Sequence, residues 1–216
     1  MPANREYGRE GLEFARAITF FDAIYAFSVT LLITTVDDFS PSAWSSLSAL
    51  REANGSSLLA FAISFVVVVR FWRVNHQEVT GFKSMDGRLI AMNCVVMFGI
   101  VLIPFATEAM GKLSSEPLPT AVYAVVITGT FAAQWWMIFD ADRRGQRRHR
   151  WSGNRWAQIA TGLVLPVVFL GSIPVAYLTQ PNFAQLCWLS AIVLVPLVDR
   201  ATRRPDTQPP PPGQAP

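Results

Sequence analysis

Six long apolar stretches dominate this chain of 216 residues and restrict it to one class of fold. They cover residues 14–36, 58–76, 89–111, 120–139, 156–178 and 183–198. A helix needs about 20 mostly apolar residues to cross the hydrocarbon core of a bilayer. Charged residues make up 15% of the chain, against roughly 25% in an ordinary soluble domain. The pattern predicts an all-α membrane protein with six transmembrane helices in one domain, residues 1–200.

The distribution of lysine and arginine predicts the orientation of these helices. If successive spans cross the membrane in alternating directions, all of the 18 basic residues except Arg51 and Lys112 fall on the same side of it. Short loops rich in basic residues stay in the cytoplasm, so both termini are expected there. The proline-rich segment 201–216 cannot form a helix, and we expect a disordered cytoplasmic tail.

The remaining composition argues against several other functions. The net charge of +3 comes from topology-setting loops, so the expected partner is the lipid bilayer and not nucleic acid. Cys94 and Cys187 lie in apolar runs without metal-ligand spacing and are expected to be small buried side chains. No HExxH, GxSxG or Walker motif occurs. We therefore expect no catalytic activity, no bound metal and no cofactor.

Polar residues on the first three spans occur at one depth, near the cytoplasmic side. Asp22 lies inside the first apolar run, where a lone carboxylate would be costly. Pairing would relieve that cost. Candidate partners at this depth are Arg16, Arg70, Arg73, His76 and Asn93. The alternative, that these residues join helices or extend to the membrane surface, stays open.

Three motifs in order resemble the endolysosomal potassium channel family of the transmembrane protein 175 type, with its prokaryotic relatives. The first span carries an arginine, a phenylalanine and an aspartate in the spacing of the family's RxxxFSD signature, and the second and third spans add further motif residues. These are Arg16, Phe20 and Asp22, then Ser64, Phe65, Trp72 and His76, then Asn93 and the PFAT segment Pro104–Thr107. Two positions depart from the family: Phe21 replaces its serine, and Asn75 precedes His76 where tandem histidines are usual.

The resemblance implies a homotetramer in a bacterial cell membrane, with the first helix of each subunit lining a central pore for K+. It places Phe27, Thr30, Leu31 and Thr34 on the pore wall, and their spacing of three and four residues puts them on one helix face. Phe27 would form a hydrophobic gate, followed by Leu31 and Thr34. Thr30 would offer hydroxyls to the ion, although its hydroxyl could instead bond only to its own helix.

Selectivity and mechanism follow from what the chain contains. It has no TVGYG segment, so side chains must select the ion, and a modest preference for K+ over Na+ is expected. Within the network of Arg16, Phe20, Asp22, Trp72, His76 and Asn93, we expect Asp22 to anchor the pore helix.

An alternative is a proton-coupled secondary transporter that uses Asp22 and His76. Transporters often contain interrupted helices, and four prolines offer candidate breaks inside the apolar runs. These are Pro104, Pro166, Pro174 and Pro196.

Overall fold

Six α-helices make up nearly all of the computed structural model, which describes residues 6–36, 40–148 and 155–202. The helices are α1 (Leu12–Leu32), α2 (Leu47–Thr80), α3 (Gly87–Lys112), α4 (Pro117–Arg143), α5 (Arg155–Leu178) and α6 (Pro181–Thr202). Each expected span falls on one helix in the expected order. The expected tail lies outside the described residues except for Ala201 and Thr202, which belong to α6.

The largest difference from the sequence expectation is the length of α2. The apolar run predicts 58–76, whereas the helix has 34 residues and begins at Leu47. Ser46 starts it as an N-cap, since its hydroxyl accepts a hydrogen bond from the Ala49 amide at 3.1 Å. The first turns of α2 are polar and therefore invisible to an argument based on apolar runs.

In the part of the chain that the structure describes, four helices are long and apolar enough to cross a membrane. They are α1 with its 3-10 extension to Thr35, α2, α3 and α4, while α5 contributes a shorter apolar stretch, Gly162–Leu178. The chain is thus a multi-pass helical membrane protein. The helices continue through Pro104 in α3, through Pro166 and Pro174 in α5, and across Pro196 in α6.

A short strand pair lies at the end of the bundle where α1 begins. Strand β1 (Glu6–Gly8) pairs antiparallel with β2 (Ser84–Asp86), with Tyr7 opposite Met85. Arg9 Nη1 adds a hydrogen bond of 2.8 Å to the carbonyl of Thr80. The apolar pattern gives no sign of this pair, because each strand has only three residues.

A buried hydrogen-bond chain joins three helices in the middle of the bundle. Thr107 Oγ1 of α3 donates to Ser64 Oγ of α2 at 2.7 Å, and Ser64 Oγ donates to Tyr123 OH of α4 at 3.0 Å. The Tyr123 ring stacks on Trp188 of α6, with centroids 5.0 Å apart. Trp188 in turn stacks on Phe169 of α5 at 4.9 Å. Two residues from the sequence motifs, Ser64 and Thr107, therefore meet and connect the first three helices to the last three.

Four charged residues join the start of α3 to the end of α4, and we call this set the carboxylate–arginine clamp: Asp86, Arg88, Asp140 and Arg144. Arg144 pairs with the buried Asp86 carboxylate and, through Nη2, with Asp140 Oδ2 at 2.7 Å. Arg88 Nη2 donates to Asp140 Oδ1 at 2.8 Å. Asp86 also caps α3, since its Oδ1 accepts from the Leu89 amide at 2.8 Å.

The two cysteines differ from the sequence expectation. Cys94 and Cys187 are free thiols, and both are exposed on the single chain instead of buried. Cys94 lies beside α1, since it lines a surface pocket together with Ala17, Phe20 and Phe21. An apolar run shows that a side chain tolerates hydrocarbon, but it cannot show whether protein or lipid surrounds that side chain.

Candidate functional site

Helix α1 has one face packed into the protein and one face left open. Its buried residues are Phe14, Phe21, Tyr25, Ser28 and Leu32. We call the opposite side the open face of α1: Phe20, Ala23, Phe27, Thr30 and Thr34, all exposed. These positions alternate three and four residues apart, so they form one stripe along the helix.

The four residues expected on the pore wall lie on or beside this open face. Phe27 has 65% of its surface exposed, and Thr30 and Thr34 are exposed, while Leu31 is half-buried at the edge of the stripe. The open face thus combines two aromatic rings with two hydroxyl groups. The open face of α3 contrasts with it, because Phe98, Val101 and other apolar side chains cover it.

Both threonine hydroxyls bond to their own helix. Thr30 Oγ1 donates to the carbonyl of Phe27 at 2.8 Å, and Thr34 Oγ1 donates to the carbonyl of Leu31 at 2.7 Å. This is the back-bonding alternative foreseen for Thr30. A hydroxyl has one proton and two acceptor lone pairs, and a cation binds the lone pairs. Back-bonding therefore directs the proton away and leaves the oxygen able to contact an ion.

Asp22 is held by two residues of one face of α2. Trp72 Nε1 donates to Asp22 Oδ1 at 2.9 Å, and His76 Nδ1 lies 3.3 Å from the carboxylate. Trp72 and His76 are four residues apart, so they are neighbours on the helix surface, with ring centroids separated by 5.6 Å. The carboxylate keeps 34% of its surface exposed. These contacts fasten α1 to α2 at the depth of the signature aspartate.

Arg16 and Phe20, the other signature residues of α1, do not contact this carboxylate. Arg16 lies 3.7 Å from Glu13, and both side chains are largely exposed. Six residues separate Arg16 from Asp22, which places them about 9 Å apart along the axis and on different faces. Phe20 is exposed, and its ring centroid lies 6.1 Å from that of Phe21. Phe21 is buried, so a packed aromatic ring stands at the position that corresponds to the serine of the RxxxFSD signature.

The remaining expected partners of Asp22 also lie apart from it. Asn93 is buried in α3, and neither atom of its amide group hydrogen-bonds to any residue that the structure describes. Arg70 and Arg73 are exposed and form no ion pair with Asp22. Of the partners that the polar pattern suggested for Asp22, His76 is the one that contacts it within the described residues, and the indole N–H of Trp72 was not among those partners.

Comparison with known proteins shows which family this part of the chain resembles. Residues 16–104 match the model of the family described as endosomal/lysosomal potassium channel TMEM175. This segment begins at Arg16, contains Asp22, Trp72, His76 and Asn93, and ends at Pro104. It therefore covers α1, α2 and most of α3.

Two bacterial relatives resemble the chain over a longer part of its length. A protein named potassium channel in Streptomyces collinus is 28% identical over 138 residues, 58% of this chain and 65% of that protein. A protein named potassium channel in a Chryseobacterium species is 26% identical over 110 residues, 51% of this chain and 55% of that protein. The chain thus spans between about half and two thirds of these relatives' own length. The resemblance predicted from the motifs is confirmed over residues 16–104, the part of the chain that matches the model of the TMEM175 family.

Proposed function

We propose that this protein is a subunit of a potassium channel, a homotetramer in which four copies of α1 surround a central pore. The observation that carries the proposal is the open face of α1, which has Phe27, Thr30 and Thr34 on a surface that the other described residues leave uncovered. The family match and the names of both relatives support the same activity. In a bacterial cell membrane, both termini would face the cytoplasm, as the basic loops favour.

Phe27 would form the gate in this arrangement. Four phenylalanine rings around one axis make a constriction that excludes water, and a dewetted pore blocks ions. Next along the stripe, the Thr30 oxygens would replace part of the hydration shell of K+, with Leu31 and Thr34 completing the wall. Few neutral oxygens face the ion, so the channel would prefer K+ only modestly over Na+.

Asp22 would set the position of the gate. Because Trp72 and His76 hold its carboxylate, a shift of this contact would move α1 against α2. Phe27 lies five residues further along α1, so it would move with Asp22 as part of the same rigid helix.

K+ flux into liposomes that contain the purified full-length protein tests this proposal. Phe27→Ala should raise the flux severalfold, because the smaller side chain widens and wets the constriction. Thr30→Val, which keeps the shape and removes the hydroxyl, should lower the ratio of K+ to Na+ flux. Phe98→Ala is the matched control, since Phe98 of α3 is 66% exposed and should leave the flux unchanged.

Two results would contradict the proposal. Equal flux in the Phe27→Ala and wild-type proteins would show that α1 does not line the pore. A monomeric mass after mild detergent extraction would show that the subunits do not share a central pore. Saturable flux that requires a pH gradient and disappears in Asp22→Asn would instead favour the proton-coupled transporter. The continuous helices at Pro104, Pro166 and Pro174 lack the interruptions typical of such transporters.

A further inference from the structure

An apolar groove runs between α2 and the helices of the second half of the chain. Its volume is about 400 Å³, within the range of roughly 300–1,000 Å³ that small-molecule sites occupy. Leu59, Val66 and Arg70 of α2 line one side, and Phe131 of α4, Phe169 of α5 and Trp188 of α6 line the other. Helices α2 and α4 both have the length and composition of membrane spans, so the groove lies at the depth of the lipid tails.

One charged group lies at the wall of this groove. Among the lining residues only Arg70 is charged, and it forms no hydrogen bond or ion pair with a residue that the structure describes. The other polar lining residue, Gln134, is buried, and its Nε2 lies 3.5 Å from the carbonyl of Phe71. The carboxylate of Asp22 on α1 is engaged by Trp72 and His76. The positive charge of Arg70 is therefore left for a partner outside the described residues.

The shape and the charge together select the kind of partner. From Leu59 to Val74 the α2 side extends about 22 Å, longer than one leaflet of a hydrocarbon core of about 30 Å. Lipid tails are as apolar as leucine, so the apolar wall accepts a tail without choosing among lipids. A guanidinium group forms paired hydrogen bonds with phosphate oxygens. Arg70 would consequently decide which headgroup is held.

We propose that this groove binds one anionic phospholipid, with an acyl chain along the apolar wall and the headgroup phosphate on Arg70. Basic pockets between membrane helices are a known setting for such headgroups. The site involves neither the open face of α1 nor the ion path. Its test is therefore independent of the channel function.

Native mass spectrometry of the purified protein, titrated with phosphatidylglycerol or with phosphatidylcholine of the same acyl chains, measures the preference directly. The wild type should bind one phosphatidylglycerol per chain more tightly than phosphatidylcholine. Arg70→Gln should reduce that preference by about fivefold, the usual contribution of one basic residue at a lipid surface. The matched control is Arg73→Gln, three residues further along α2 and outside the groove, which should retain the preference.

A second pair of variants tests the place of the acyl chain. Ala62→Phe adds a ring inside the groove and should lower the binding of both lipids. Ala91→Phe, on an exposed face of α3, should lower neither. Equal losses in Arg70→Gln and Arg73→Gln would mean general attraction to a basic surface and would overturn the proposal. Unchanged binding in Ala62→Phe would overturn it too, because the lipid would then lie elsewhere.

A cysteine experiment distinguishes a lipid from a second copy of the chain. With Cys94 and Cys187 replaced by serine, Ala62→Cys should remain monomeric on denaturing gels after oxidation. A disulfide-linked dimer would show that a neighbouring subunit covers the groove, and the lipid proposal would be wrong.

Discussion

Asp22 shows how one acidic side chain can be tolerated inside an apolar helix. A carboxylate in hydrocarbon is expensive unless donors surround it, and here the donors come from the ring systems of Trp72 and His76. Neither partner carries a permanent charge. The contact therefore positions α1 against α2 by directed hydrogen bonds more than by a formal ion pair.

Removal of the indole N–H tests this role at the residue level. Trp72→Phe keeps an aromatic ring but loses the donor, and we expect the free energy of unfolding in detergent to fall by about 1.5–3 kcal/mol, since hydrogen bonds to charged groups contribute that much. Trp136→Phe is the control, because Trp136 is 62% exposed and should change stability by less than about 0.5 kcal/mol. Combined with Asp22→Ala, which removes the acceptor, Trp72→Phe should have a much smaller effect than alone. If the losses of stability caused by the two substitutions add up instead, Trp72 and Asp22 do not stabilise the protein through a shared hydrogen bond.

The sequence predicted some residues of this site well and others poorly. The spacing of Phe27, Thr30, Leu31 and Thr34 predicted a shared face because helical periodicity depends only on residue number. The partner of Asp22 depends on how α1 and α2 rotate against each other, which no single-helix pattern contains. The candidate partners expected for Asp22 included Arg16 and not Trp72, although Arg16 lies on another face of its own helix.

Small residues set the distance between helices at the level of the elements. A methyl group added at Gly99 of α3 would lie 2.1 Å from Thr130 Oγ1 and 2.9 Å from Thr130 Cβ of α4. Both distances are far below van der Waals contact. Close approach at small residues is a frequent way for membrane helices to pack, and here it joins α3 to α4.

Gly99→Ala should therefore lower the free energy of unfolding by about 1–3 kcal/mol, the usual cost of overpacking. Gly129→Ala, on α4 one position before Thr130, is the control, since a methyl group there would meet nothing within 4 Å. Thr130→Ala should restore most of the stability of Gly99→Ala. If the two glycine variants unfold alike, α3 and α4 do not depend on this contact.

A helix boundary was predictable where the helix ends together with its apolar run, and it was less predictable where polar residues continue the helix. The expected 156–178 agrees closely with α5, Arg155–Leu178. The expected 58–76 misses the first turns of α2, because their polar side chains extend the helix past the apolar residues. The residues that mark where α2 and α3 begin are their N-caps, Ser46 and Asp86. Serine and aspartate are also common in loops, so these residues alone do not predict a helix start.

The carboxylate–arginine clamp connects distant parts of the whole molecule. It ties β2 and the start of α3 to the end of α4 through Asp86 and Arg144. Burial tends to raise the pKa of Asp86, but the Leu89 amide and the Arg144 guanidinium outweigh it and hold this pKa below its usual value. The folded protein therefore binds the proton of Asp86 less readily than the unfolded chain does.

The sign of this shift gives a pH dependence for the whole molecule. The contribution of Asp86 to stability is complete above the unfolded pKa of about 3.9 and is lost as the pH falls through the lower folded pKa. Asp86→Asn keeps a good N-cap for α3 but loses the charge. We expect it to be less stable than wild type by about 1–3 kcal/mol at pH 6, with a difference that shrinks below pH ~4.

Thermal unfolding in detergent between pH 6 and pH 3 measures this difference. Glu10→Gln serves as the control, because Glu10 is exposed and its removal should leave the pH profile parallel to that of wild type. A constant gap between Asp86→Asn and wild type across this range would mean that the charge of Asp86 does not stabilise the fold.

The pairing of β1 with β2 also sets an order of events during synthesis. Glu6 lies opposite Asp86, 80 residues later in the chain. At the roughly 5–20 residues per second of a ribosome, the first strand waits about 4–16 s for its partner to be made. Trp72 and His76 also emerge well after Asp22. Helix α1 must consequently enter the bilayer before any of its tethers exist, and it reaches its final position only when α2 and the turn into α3 have followed.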